Sequence, residues 1–461
     1  MTELDTGRGA DRNPERESET GAAPPGPDGL PLVESTVAAS RDGLAFADAL
    51  QTYGDLVSYS AFGTEFVAVF DPEIVETVLV SRSDDFEKGE FEMAFGDLVA
   101  PDGLAFTEGA RWRRQRTTLQ SAFTPERIER YAAEMVEQTA ALADGWADGE
   151  TVALDESFSE LTLRILTRAL FDLDFDTERA AVVREATQAI GTVVDTFGLL
   201  SLLPDWVPTR SERRYERAMA ALDDLVARLI RERRATAADR DDLLSLLVTA
   251  ADADDTGIDA ESLRDQLVTF LFAGHETTAT ALTEACWLLA GHPGVRDRLD
   301  AELDAVLGDR DPTVADLPAL EYTEDVVREA LRLYPPVYSL YRQPRAAVVL
   351  DGYRVPADTT LQLATYNIQR DDRWWDAPEE FRLGRWSGES SDADRPEYAY
   401  FPFGGGPRHC IGMRFAMTEL KLAVATLARR VAFERRTREL DLSMGLTLDP
   451  GRVAVRASKR T

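Results

Sequence analysis

The decapeptide Phe403-Gly404-Gly405-Gly406-Pro407-Arg408-His409-Cys410-Ile411-Gly412 sets a cysteine behind three glycines, an arginine and a histidine. A helical pattern starts directly after it. A thiolate that binds metal needs a tightly bending loop, donors aimed at sulfur and positive charge nearby. The glycines supply backbone angles closed to other residues. A helix starting after Gly412 directs free N–H groups and the positive end of its dipole at the sulfur, which favours the charged form. The only other cysteine, Cys286, lies in an apolar helical run. One cysteine with no paired Cys or His cluster does not make a tetrahedral zinc site.

A single axial thiolate does suit haem iron. The decapeptide resembles the haem-binding signature of the cytochrome P-450 superfamily, Phe-x-x-Gly-x-Arg-x-Cys-x-Gly, met at Phe403, Gly406, Arg408, Cys410 and Gly412. Three further stretches fall in the order that the resemblance implies. Ala273-Gly274-His275-Glu276-Thr277-Thr278 interrupts a long apolar helix with a glycine and two threonines, which a helix built only for packing disfavours. The spacing reads as a local widening for a small ligand with a hydroxyl aimed at it. The resemblance makes Glu276 and Thr277 an acid–alcohol pair that relays protons, and leaves His275 as a polar or packing residue. Glu329 and Arg332 share one helix face. The resemblance makes them a buried structural network with Arg385, although Leu383 and Gly384 stand where the family usually has Pro and Glu. Trp112 and Arg116, four apart, match the family's clamp on a haem propionate, a role the resemblance also gives to Arg342, Arg408 and His409.

The supporting elements follow from periodicity and punctuation. Residues 1–23 mix charge with Gly and Pro and read as a disordered tail, with 24–461 as a single domain. Leu56–Tyr59 and Glu65–Phe70 read as strands joined through Phe62-Gly63, and Asp71-Pro72 opens a helix. Glu126 to Arg234 is mostly amphipathic helix, broken at 197–206 by an apolar stretch that is either plain core or, as the resemblance implies, a mobile loop over the substrate entrance. A helix from about Asp259 to Ala290, closed by Gly291-His292-Pro293, runs roughly 45 Å. Short strands are expected at 348–350, 353–355 and 360–364. A helix should run from Cys410 to about Arg430, and 446–448 with 453–455 should form a terminal hairpin. The implied fold is mainly α with small β-sheets: a helical prism with the haem between the long central helix and the Cys410 loop. Residues 86–98 read as a loop that is either tucked on the core or a lid. Phe86, Phe91, Phe95, Phe270, Val337 and Leu340 are the pocket residues that the resemblance implies.

A formal net charge of −32 excludes nucleic acid as a default partner. Lys88, Lys421 and Lys459 are the only lysines. Strong acidity with scarce lysine looks like adaptation to a salt-rich cytoplasm, against the alternative of an ordinary acidic protein. No membrane span or secretory signal is read, so a cytoplasmic monomer of prokaryotic type is expected. By resemblance the chain binds haem b, uses O2, carries no flavin, and oxygenates an apolar small molecule such as a fatty acid or terpenoid. Electrons are then expected from a ferredoxin or flavodoxin landing on Arg111, Arg113 and Arg114. The alternatives are a peroxide-using haem-thiolate hydroxylase and a non-catalytic haem-thiolate sensor or carrier. Glu276-Thr277 counts against both.

Overall fold

The computed structural model describes residues 21–27, 34–200, 209–236, 240–253, 255–387 and 395–460. Its axis is the helix Ser262–Gly291, buried along most of its length on all sides. Its buried positions include Asp265, Gln266, His275 and Glu284, so it is enclosed by other elements without being apolar all round. It packs against the helices Leu154–Phe171, Glu321–Leu333 and Met413–Arg430. The start falls three residues later than the periodicity predicts, after a turn at 260–261 that Asp259 and Ser262 close. The Asp259 carboxylate accepts the Ser262 N–H at 2.8 Å and Ser262 Oγ accepts the Asp259 N–H at 2.9 Å. At the other end, His292 is extended before Pro293, as a residue preceding proline must be.

Five strands form a side sheet in the order Leu56–Ala61, Thr64–Val69, Thr360–Leu363, Leu340–Pro344 and Phe86–Glu87. Asp71 caps the helix Pro72–Glu76 by accepting the N–H groups of Glu73 and Ile74. The strands Val348–Leu350 and Tyr353–Val355 pair as expected. Ala22, inside the stretch read as a tail, bridges to Tyr353, and the Ser58 N–H donates to Pro25 O at 2.7 Å. Most of that tail, and much of 197–206, lie outside the described residues. Among the described residues, no helix is long and apolar enough to cross a membrane.

Two expectations are corrected. Residues 86–98 are not a loop: Phe86–Glu87 is a strand and Glu90–Val99 a helix. Phe91, Phe95 and Leu98 stand at i, i+4 and i+7, the spacing of one helix face. The terminal hairpin does not form as drawn. Ser443–Met444 pairs with Leu448–Asp449, whereas Ala454–Lys459 lies between Val431–Arg435 and Glu150–Ala153. A strand whose partner is some three hundred residues away carries no local signal of it.

Candidate haem-thiolate site

The Cys410 loop is closed by the Cys410 N–H donating to Phe403 O at 2.9 Å. Gly404 and Gly406 have φ of +70° and +61°, which side chains disfavour. A Cβ on Gly406 would lie 1.9 Å from Leu79 O, so the loop and the segment Thr77–Ser81 touch backbone to backbone. Cys410 is accessible, yet protein encloses it, so its sulfur lines an internal cleft rather than the outer surface. Burial pushes its thiol up. The N–H of Gly412, the Arg116 charge and the N–H of Met413 oppose that shift without overcoming it. The expected charge-favouring loop is present, and burial outweighs it. A thiolate there is best stabilised by a cation at the sulfur, which is what metal ligation supplies. Cys286, by contrast, is fully buried in the core, its thiol pushed up to about 12 by burial.

Arg116 lies on the helix Gly109–Gln120 and reaches the loop, donating to His409 O at 2.9 Å and approaching His409 Nε2 at 3.2 Å. His409 Nδ1 is 2.9 Å from Gly406 O, a carbonyl that only accepts. Both ring nitrogens are therefore engaged, Nδ1 within the loop and Nε2 by Arg116, and His409 braces the loop rather than offering a free donor. Arg408 lies over the Trp112 ring at 4.4 Å and pairs with Glu108 at 2.7 Å. Arg342 is buried beside Glu92, 3.7 Å away, and Lys88 pairs with the same Glu92. Lys88, Glu92 and Glu108 were not read from the sequence. Burial pushes the Lys88 ammonium down, with Glu92 opposing and Arg342 adding to the shift. Arg345 shares Glu108 and also pairs with Glu87, so Lys88, Arg342, Arg345 and Arg408 face the carboxylates of Glu87, Glu92 and Glu108 with one positive charge in excess, while no ion pair engages Arg116 among the described residues. Trp112, Arg342, Arg408 and Glu108 line a cavity of about 130 Å³ with Leu79 and Phe86. Cys410 does not line this cavity; Arg116 is the guanidinium whose charge reaches the thiol, and with the cationic excess around Trp112 the chemistry fits a haem carrying two carboxylates.

On the central helix, Ala273 is exposed although Phe272 and His275 beside it are buried, so this face also opens on a cleft. Thr277 Oγ1 donates to Ala273 O at 2.8 Å and Thr278 Oγ1 to Gly274 O at 3.0 Å. The helix stays α-helical throughout, which corrects the expected widening. Gly274 has a different cause: a Cβ there would lie 2.6 Å from Leu166, so the glycine admits the neighbouring helix. His275 is fully buried, as a polar packing residue should be.

Among the pocket residues, Phe270 stacks on Phe123 in the core and Phe86 is buried in the side-sheet cluster. Phe91 packs on Phe66 and Tyr341, and Phe95 on Phe106. Val337 and Leu340 are half-buried, and Leu340 Cδ1 would lie 3.3 Å from a Cβ on Gly404. Arg111 is tied to Asp102 and Asp259, so only Arg113 and Arg114 project from that island.

The Glu329 network forms as expected. Glu329 and Arg332 are fully buried, with Arg332 Nη2 2.9 Å from Glu329 Oε1 and Arg385 Nε 3.0 Å from the same oxygen. Trp386 Nε1 donates to Glu329 Oε2 at 2.9 Å, a member that sequence reasoning missed although it adjoins Arg385.

Comparison with known proteins gives the family and the fold. The family profile described as Cytochrome P450 matches residues 24–455, and the chain belongs to that family. It is 36% identical over 423 residues to cyclooctat-9-en-7-ol 5-monooxygenase of Streptomyces melanosporofaciens, covering 90% of each chain. Against pentalenene oxygenase of Streptomyces avermitilis it is 33% identical over 440 residues, 94% of this chain and 97% of the other. The fold superposes on a retinoic acid-bound cyanobacterial CYP120A1 with a TM-score of 0.83 at 24% identity, over 96% of this chain and all of the other. The protein is a cytochrome P450 monooxygenase, an oxidoreductase of a family that uses haem and O2.

Proposed function

We propose that this enzyme inserts one oxygen atom from O2 into a C–H bond of an apolar terpenoid, with electrons supplied by a separate ferredoxin- or flavodoxin-type protein. The substrate class rests on the two relatives whose names specify cyclooctat-9-en-7-ol and pentalenene. The observation that carries the chemistry is the accessible but enclosed Cys410 at a helix N-terminus, braced by Arg116. Haem b bound there supplies the oxygen-activating chemistry, and the protein supplies ligand, proton path and pocket. Arg116, Arg342, Arg408 and Trp112 hold its carboxylates. Glu276 and Thr277 move protons: the Thr277 hydroxyl turns off Ala273 O and is re-protonated by the acid beside it. Phe91, Phe95, Val337 and Leu340 contact the substrate. The enzyme works as a monomer in a salt-rich cytoplasm, in line with its net charge of −32.

The test has two parts. The reduced, carbon-monoxide-bound protein should show the strongly red-shifted band of thiolate-ligated haem. Cys410→Ala should lose it and Cys286→Ala keep it; the reverse would sink the assignment. Cyclic terpenes, supplied with a surrogate ferredoxin and its reductase, should then give products one oxygen heavier, the oxygen deriving from O2.

A further inference from the structure

His275 is fully buried on the central helix, and the placement of its ring fixes more than packing. Nδ1 lies against Leu271 O, a carbonyl one turn back. A carbonyl only accepts, so Nδ1 carries the hydrogen of that bond. In a neutral ring this leaves Nε2 as a bare lone pair. Nε2 is buried, has no hydrogen-bond partner, and faces Glu276 Oε2 at 3.5 Å. Two acceptors facing each other, the ring nitrogen away from water and the carboxylate partly exposed, repel. One proton removes the conflict, whether Nε2 donates it to the carboxylate or the carboxyl donates it to Nε2.

We propose that His275 and Glu276 hold a single proton between Nε2 and Oε2, and that this is the proton passed to Thr277. His275 is then a positioning and proton-storing residue for the acid–alcohol pair, and the proposal rests on the reading of that pair given above. The separation is a few tenths of an ångström beyond a direct hydrogen bond. Glu276 is half-buried, so a small side-chain rotation closes it. The backbone between the two residues is held from the neighbouring helix: Thr162 Oγ1 donates to His275 O at 2.9 Å, and Leu166 packs on Gly274. Neither Thr162 nor Leu166 titrates. Among the described residues, Glu276 is the charged group set against the ring.

The proton count closes without electrons. When Glu276 gives its proton toward the Thr277 hydroxyl, the pair is left as neutral imidazole and carboxylate, the repelling state. Taking one proton from water through half-buried Glu276 restores it. The pair therefore refills because of its geometry. A histidine present only for packing would leave Nε2 as a free lone pair.

The chain has three histidines, His275, His292 and His409, so a histidine-¹⁵N spectrum is assignable with one substitution each. In the diamagnetic reduced, carbon-monoxide-bound holoenzyme, His275 should show a protonated Nδ1 and an Nε2 that carries or accepts a proton. In turnover, product per electron reads the delivery of that proton. His275→Phe should lower that ratio several-fold. If His275→Phe does not take up haem, His275→Gln, which can still donate to Glu276 but cannot store the proton, should also lower it. A free Nε2 lone pair in the spectrum overturns the shared proton by itself. An unchanged ratio in a haem-loaded His275 variant overturns its delivery. Thr277→Ala with unchanged product per electron instead overturns the acid–alcohol reading.

Discussion

Removing Glu329 is the perturbation whose size the structure bounds best. Its carboxylate is fully buried and accepts five hydrogen bonds: from Arg332 Nε and Nη2, Arg385 Nε, the Arg382 N–H and Trp386 Nε1, all between 2.9 and 3.1 Å. Arg332 also donates to Gln369 O and Pro378 O, and both guanidinium groups lie near the Trp375 ring, at 4.9 Å and 5.7 Å. Glu329→Ala leaves two enclosed cations without their counter-ion, a change worth roughly 3–5 kcal/mol. A typical domain has only about 5–15 kcal/mol in total. Glu329→Gln keeps the shape but loses the charge, so it should fall between. Arg164→Ala is the control: its pair with Glu160 has similar geometry at 2.9 Å but both side chains are more than a third exposed, so it should cost about 1 kcal/mol or less. Thermal unfolding and haem content, read together, make the assay. At about 2–4 °C per kcal/mol for domains of 150–250 residues, and less for a longer chain, Glu329→Ala should melt several degrees lower or fail to load haem. A haem-replete Glu329→Ala protein melting with the Arg164→Ala control would refute the reasoning.

Thr277→Ala should still bind haem and substrate but divert reductant into hydrogen peroxide; proton assistance of this kind is worth about 10²–10⁴-fold, and measuring product, peroxide and electrons together checks it. Reversing charge at Arg113 and Arg114 should slow reduction by an acidic ferredoxin at low salt while leaving chemically reduced enzyme competent; stopped-flow reduction reads this, and unchanged rates would move the partner elsewhere. Glu284 is fully buried on the central helix with both carboxyl oxygens unpartnered, and burial raises its pKa well above the ordinary value. A group raised in the folded state costs stability as pH climbs above the unfolded value, so Glu284→Gln should stabilise the protein at pH 7. That advantage should shrink below about pH 4.5, and paired melting curves across pH would expose a constant difference instead.

The sequence by itself determined the parts that are local. Cys410 with its glycines, Glu329 with Arg332, and Trp112 with Arg116 are each set by spacings of a helical turn or a single loop. The central helix announces itself by its length and by the Gly291-His292-Pro293 stop. These signals survive because helix faces and tight turns depend on neighbours within a few residues. Phe91, Phe95 and Leu98 carried the same kind of signal, and their helix was legible in principle.

Tertiary packing decided what no spacing encodes. Glu92 and Glu108 join Lys88, Arg342 and Arg408 only because a sheet edge and two helices meet there. Arg111, legible as part of a basic island, is drawn to Asp102 and Asp259 instead. Gly274 looked like room for a ligand and is room for Leu166. Arg116 braces His409, 293 residues away. The balance between burial and donors at the Cys410 sulfur also depends on how deeply the loop is enclosed. Desolvation and partner choice are properties of the packed interior, where the low dielectric makes each buried charge find a counter-charge from whatever part of the chain is adjacent.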